Sequence, residues 1–335
     1  MSSTETPWID AWIRWERDSK DVIDDNLSTK GVEKDEYPSP TKVFHFEYPL
    51  FENSEEKDSD DNNNNTETTV CTLSLGGFDS ESEETWNSTG LTLWPCSHHL
   101  CDYLCQHLLS TLRAADSTKS NETINVLELG SGLGRCGLLA HHILQADNAA
   151  ADENIRRHHH HIYMTDGDTD TLHQLRANVR ENVAQKQQDR VSCHQLLWGE
   201  ASARRFCTLI GLHSAKRNES RNTNELEGSI RNKIDLIIGS DLIYVPQVIE
   251  PLFETVYVLL QQPFTKNEDN KNQSTNLATA RPTFVMAHSD RRQGSSVTLG
   301  MVLEKSTEAG LEATILKEQP QEGIYIIAFA IPVER

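Results

Sequence analysis

The sequence predicts an α/β fold: a seven-stranded, mostly parallel sheet with helices on both faces and an antiparallel last strand. Three observations predict it. The stretch Ile124 to Gly137, INVLELGSGLGRCG, reads as a short apolar strand, a glycine-rich turn and the start of a helix. Around it, near-continuous apolar strands alternate with helical patterns, as in a parallel sheet covered on both sides. The chain closes on two strands with no helix between them, LEATILKE and GIYIIAFAI, which implies a hairpin at one edge of the sheet.

Taken in order, the chain begins with Trp8, Ile9, Trp12, Ile13 and Trp15 at helical spacing. Such a stripe either packs onto the main domain or docks a partner. A polar spacer ends at Pro38 and Pro40, and two alternating strands follow, KVFHFEYPLF and TVCTLSLGGF. Between them lies an acidic insert containing Asn62 to Asn65, which cannot bury enough apolar surface to order itself. Similar polar inserts at about 147–160, 213–232 and 265–280 read as lengthened surface loops, because closing a longer loop costs little. With these set aside, strands are expected at 161–165, 190–198, 234–240 and 282–288, and helices at 169–184, 246–260 and 296–309. The organisation is an N-terminal extension over 1–37, a β-hairpin with its acidic insert over 38–89, and the main domain over 90–335.

Of a formal net charge of -20, half sits between Glu52 and Glu84, where eleven acids face one base, Lys57, giving -10. The acidic balance excludes a phosphate-backbone binder, which needs clustered Lys and Arg. The seven cysteines include no C-x-x-C pair, and no segment has the layout of a secretory signal or the length of a membrane span. Reduced thiols in a cytosolic or nuclear monomer are expected. Cys101 and Cys105 lie one helical turn apart with nothing nearby to complete a tetrahedral site. Among the histidines, His98, His99, His141 and His142 form adjacent pairs that point to different helix faces, and the run His158 to His161 falls in an expected loop, so no structural metal is anticipated.

The glycines at Gly130, Gly132 and Gly134 allow a sharp turn and let a ligand lie against bare peptide at a helix start, which suits a nucleoside-bearing cofactor. A dinucleotide fingerprint would place its third glycine where this chain has Arg135. From Glu128 the stretch instead reads E-x-G-x-G-x-G, which resembles motif I of S-adenosylmethionine-dependent methyltransferases of the seven-β-strand class. Ligands in such sheets sit beyond the carboxyl ends of the strands. There, Asp166 is placed to accept ribose hydroxyls, with Asp168 and Asp170 as rivals, although Asp168 can instead cap the next helix. Trp198 ends the third strand, where it either stacks on a base or fills core. The fourth strand ends in Ser240-Asp241-Leu242-Ile243-Tyr244, with the spacing of the D-P-P-Y motif of adenine-N6 methyltransferases; Leu242 and Ile243 in place of both prolines argue against a nucleic-acid substrate.

Five blocks in order, GLTLWPCSHHLCDYLCQHLL, VLELGSGLGRCG, YMTDGDTDTLHQLRANVREN, LLWG and IDLIIGSDLIYVPQVIEPLF, resemble the protein-lysine methyltransferase branch of that class. The resemblance implies S-adenosyl-L-methionine as cofactor, held by Trp94, Glu128, Gly130, Gly132, Asp166 and Trp198, with Gly134 and Ser240 alongside. It places Asp241 and Tyr244 against the target amine and implies a protein substrate such as a chaperone or elongation factor. A histidine or small-molecule acceptor, or a cofactor-binding scaffold with little activity, are the alternatives. Asp241 could also serve merely as a cap for the helix after Pro246.

Overall fold

The computed structural model describes residues 37–52, 68–115, 123–150, 159–212, 233–261, 282–291 and 295–332. The tryptophan stripe of the first segment, the asparagine-rich insert and the inserts at 213–232 and 265–280 lie outside these residues.

Strands β1 (Lys42–Glu52) and β2 (Thr68–Gly77) form an antiparallel hairpin, registered from Lys42↔Gly77 to Glu52↔Thr68 with a shift between Pro49 and Phe51. A five-residue helix α1 (Glu83–Asn87), capped by Ser82, and a 3-10 turn over Thr89–Leu91 lead into the long helix α2 (Cys96–Ala115). The main sheet then runs β3 (Ile124–Leu129), β4 (His160–Asp166), β5 (Val191–Gln195), β6 (Leu236–Ser240), β7 (Thr283–Ser289), β8 (Glu312–Gln319) and β9 (Ile324–Ala330). Its spatial order is β5-β4-β3-β6-β7-β9-β8. Pairings among β3 to β7 are parallel, and β9 is antiparallel to both β7 and β8, so the closing hairpin inserts its last strand between two others. This is the sheet that the sequence predicts. The outermost strand β8 is largely exposed and carries Glu312, Lys317 and Glu318, charges that discourage edge-to-edge pairing.

Alternation along the buried strands feeds two cores. Val126, Ile162, Met164, Ile238 and Val285 face a layer made by α2, α3 (Arg135–Ala150), α4 (Thr169–Asn182) and the hairpin. Leu127, Leu129, Tyr163, Ile237 and Phe284 face α5 (Glu200–Leu209), α6 (Ile249–Leu260) and α7 (Leu299–Glu308). Helix α5 is absent from the sequence-based expectation, which passes from the third strand straight into a polar insert. Its apolar stripe, Ala203, Phe206 and Cys207, is three residues wide and becomes recognisable only against β5 and α6.

Two further differences have physical causes. Helix α3 continues to Ala150, into the segment expected as loop. At its other flank β4 begins at His160, because the parallel pairing Ile124↔His160 and Asn125↔His161 draws the last two histidines of the run into the sheet. His160 is then buried, and its Nε2 lies 3.0 Å from Nδ1 of the fully buried His141 on α3.

The hairpin is held by amide side chains as well as apolar contact. Asn182 on α4 receives the Ser74 N–H at Oδ1 (2.8 Å) and donates to the Ser74 carbonyl (2.8 Å). One turn earlier, Asn178 receives the Gly76 N–H (2.9 Å) and donates to the Gly76 carbonyl (3.1 Å). Two side chains four apart on a helix thus stand in for a strand along β2. Asn178 also donates to Leu133 O of the glycine turn (3.0 Å), tying hairpin and turn together.

Replacing Asn178 with Ala leaves several backbone groups without their partner, an expected loss of about 1–3 kcal/mol in urea unfolding, with a smaller loss for Asn182→Ala at its half-buried site. A second expectation concerns pH. Burial, aided by His160, His142 and Arg190, pushes His141 down to about 3, and burial, aided by Arg190, His161 and His159, pushes His160 down to about 4. As pH falls below about 6.5 the unfolded chain takes up these protons first, so stability that is full above that pH is lost progressively toward pH 4 and 3. A His141→Leu/His160→Leu variant should escape this share, roughly 1.4 kcal/mol per histidine per pH unit, read as the difference between wild-type and variant unfolding curves.

Candidate cofactor and acceptor site

The site is built on the turn between β3 and α3. Gly130, Gly132 and Gly134 all have positive φ, at 56°, 52° and 89°. Only glycine adopts this repeated left-handed backbone without strain. A Cβ at Gly130 would lie 2.6 Å from Leu242 Cδ2 and 3.6 Å from Trp198 Cζ2, and one at Gly132 would lie 3.2 Å from the carbonyl of Gly90. The turn is stitched to the end of β4: Ser131 N donates to Thr165 O (2.8 Å), Thr165 N donates to Ser131 Oγ (3.0 Å), and Thr165 Oγ1 donates to Glu128 O (2.8 Å).

Each expected cofactor residue has a defined place around this turn. Asp166 Oδ2 accepts from Gly132 N (3.0 Å) and Oδ1 from Asp168 N (3.1 Å), which holds a carboxylate at the turn's rim. Burial pushes its pKa up to about 6. An ionised carboxylate has about four acceptor positions, so two protein bonds leave capacity for ribose hydroxyls. Asp168 is the helix cap: its Oδ1 accepts from Thr171 N (2.7 Å) and from Ser88 Oγ (2.8 Å). Trp94 donates from its ring to Thr89 O (2.8 Å), which fixes the indole at the 3-10 turn whose Gly90 carbonyl approaches Gly132. Trp198 is half-buried, packed against the second core and close to Gly130.

Glu128 sits beneath the turn, 2 % exposed, where Oε2 accepts from Gly137 N (3.1 Å) in the first turn of α3. Burial pushes it up to about 8. In this structure Glu128 braces the start of the helix from below. Ser240, at the end of β6, places Oγ 4.0 Å from Cys136 Sγ.

Beyond Ser240 the backbone turns through Asp241, a non-glycine residue with positive φ at 56°. Its N–H donates to Ala287 O (3.1 Å), and its Oδ2 accepts from Cys96 N (2.8 Å), the first residue of α2. The carboxylate thus caps a helix, but a different one from the helix after Pro246. Leu242 and Ile243 are buried, with Leu242 seated between Gly130 and Gly239, while Tyr244 is half-buried. Leu242 is a site residue that motif reasoning passes over. The available signal is a pair of glycines, Gly130 and Gly239, that leave room for it. All seven cysteines are free thiols, and among the described residues no group of three or more His, Cys, Asp or Glu could hold a metal. No described helix is long and apolar enough to cross a membrane.

Residues 80–211 match the model of a family described as lysine methyltransferase. The match spans the glycine turn, Asp166 and Trp198 and ends before Asp241. No curated protein matches the chain's sequence. Similar solved structures include a SAM-dependent methyltransferase from Aquifex aeolicus, at 10% identity over 68% of this chain and 89% of that one, with a TM-score of 0.34. Magnesium protoporphyrin IX methyltransferase from Synechocystis PCC 6803 with bound SAH has 10% identity over 74% and 97%, at 0.39. A predicted O-methyltransferase from Agrobacterium tumefaciens has 13% identity over 68% and 81%, at 0.36. Likenesses at these scores add nothing to what the sheet order shows. The family match and the seven-stranded sheet bear out an S-adenosylmethionine-dependent methyltransferase domain.

Gly130→Arg should abolish S-adenosylmethionine binding in calorimetry, because both the φ and the approach of Leu242 forbid a side chain there.

Proposed function

We propose that the protein methylates a lysine side chain of another protein. The reading rests on Asp241, a carboxylate held rigidly beside the glycine turn by its backbone conformation and by the Cys96 N–H. It is supported by the description of the matched family. When bound, S-adenosylmethionine supplies an electrophilic methyl group on a sulfonium.

The acceptor amine must lose its proton. A free lysine has a pKa of about 10.4, so the neutral form at pH 7 costs roughly 4–5 kcal/mol. Apolar surroundings lower that cost, and the two residues after Asp241, Leu242 and Ile243, are both apolar and buried. The carboxylate acts in the opposite sense on the ammonium. Its contribution is to align the amine and to offset the positive charge that grows on nitrogen during transfer. Tyr244, three residues on, shapes the channel by ring contact with the amine or by its hydroxyl. The proton leaves to water. The chain's acid excess suits a substrate whose target region is basic, and the expectation of a cytosolic or nuclear protein acting as a monomer belongs to the same proposal.

Two measurements test this. Incubation of a cell extract with methyl-labelled S-adenosylmethionine, beside the Gly130→Arg control, should label a discrete protein band that yields methyl-lysine on hydrolysis. Label in methyl-histidine or in a small molecule would replace the proposed acceptor, and no label despite cofactor binding would leave a scaffold. Asp241→Asn retains a side chain tolerated at positive φ and an oxygen for the Cys96 N–H. Its melting temperature and cofactor affinity should stay close to wild type while kcat falls roughly 10- to 100-fold, as for loss of one charge-stabilising group.

A further inference from the structure

A cavity of about 540 Å³ lies between β1 and α2, with Arg135, the residue after the glycine turn, in its lining. Phe46, Glu47, Tyr48, His98, Asp102 and Arg135 are among its lining residues. Arg135 is the anomaly in it. The residue is 7 % exposed, yet its partners are all uncharged or weakly basic: Nε donates to Tyr48 Oη (2.6 Å), Nη1 to Ser97 Oγ (3.3 Å), and Nη2 lies 3.2 Å from His98 Nδ1. One face of the guanidinium stacks on Phe46, with Cζ 3.8 Å from the ring centroid. Among the described residues no carboxylate pairs with it directly. Asp102 is linked to it through His98, whose Nε2 lies 3.6 Å from the carboxylate. Tyr48 cannot serve as the counter-charge, because burial and the neighbouring Cys101 raise its pKa well above the ordinary phenol value.

Buried cations in proteins are ordinarily paired. The field around this one is positive for a second reason. Arg135 is the first residue of α3, and Ser97 and His98 lie in the first turn of α2, so two helix N-termini converge on the guanidinium. The start of α2 links the guanidinium to the end of β6, since Cys96 bonds Asp241 and the next residue, Ser97, bonds Arg135. β1, which has a strand neighbour on one side alone among the described residues, supplies Phe46 to Pro49 to the cavity lining.

We propose that this cavity recognises the target polypeptide, with Arg135 pairing to the carboxylate of an acidic side chain near the methylated lysine. The proposal rests on the acceptor lying on a protein. Exposed Glu47 and half-buried Asp102 at the rim complement a basic side chain beside that acid, so the fitting segment is one of mixed charge. Arg135 acts here as a specificity-determining residue, with no part in the methyl transfer itself.

The test uses the full-length protein and an array of lysine-centred peptides in which one glutamate is moved position by position, each paired with its glutamine counterpart. Binding is read first, with S-adenosylhomocysteine present. Wild type should prefer glutamate over glutamine at one fixed offset from the lysine by about tenfold, the scale of one charge-assisted pair. Arg135→Met should erase that preference, and Arg135→Lys, which keeps the charge but loses the fork, should retain part of it. Equal binding of glutamate and glutamine peptides to wild type overturns the proposal without reference to any variant, as does a preference that survives in Arg135→Met, or no binding at all. The same array is then incubated with labelled S-adenosylmethionine. A glutamate preference in binding without label on lysine sinks the lysine reading and leaves the pocket standing, whereas label with no dependence on glutamate does the reverse.

Discussion

Three glycines at positive φ between β3 and α3 are the constraint on which the rest of the site depends. That backbone exposes peptide groups and cannot hold its own shape, so its neighbours hold it. Ser131 and Thr165 exchange hydrogen bonds between the turn and β4, Asp166 takes the Gly132 N–H, Glu128 braces the helix start from below, and Asn178 takes the Leu133 carbonyl from α4. Every one of these partners is polar and at least partly buried, which makes the bonds costly to lose. Rigidity of the turn is therefore supplied by side chains from three other elements.

The same economy recurs at the end of β6. Asp241 closes β6, occupies a left-handed conformation and caps α2 through Cys96, so one residue links the sheet to the helix that carries Ser97 and His98. Its neighbour Leu242 fills the space over Gly130 that the missing Cβ leaves. A small shift at residue 241 would be felt at once in the cofactor turn and in the first turn of α2.

The hairpin contributes an outer wall. Its β2 strand is bonded to α4 by Asn178 and Asn182, while β1 brings Phe46 and Tyr48 over Arg135. The hairpin thus helps to take the guanidinium out of water, leaving Arg135 7 % exposed. The acidic insert expected between the two strands lies outside the described residues.

By itself the sequence determined the seven strands, the glycine turn and the antiparallel ending, because apolar periodicity and clustered glycines are local signals; Asp166 became a candidate by its place at a strand end, and Asp241 through the family resemblance. Helix α5 and the strand placement of His160 were decided by tertiary structure, since a narrow apolar stripe and a histidine acquire their state from what packs against them. So was the identity of the helix that Asp241 caps: the bond to Cys96 joins residues 145 apart in the chain, and no local pattern encodes it. Arg135 shows the division most clearly. In the sequence it is the residue that breaks a dinucleotide fingerprint, and only the fold, by laying Phe46 and Tyr48 across it, turns it into a buried cation beside a cavity.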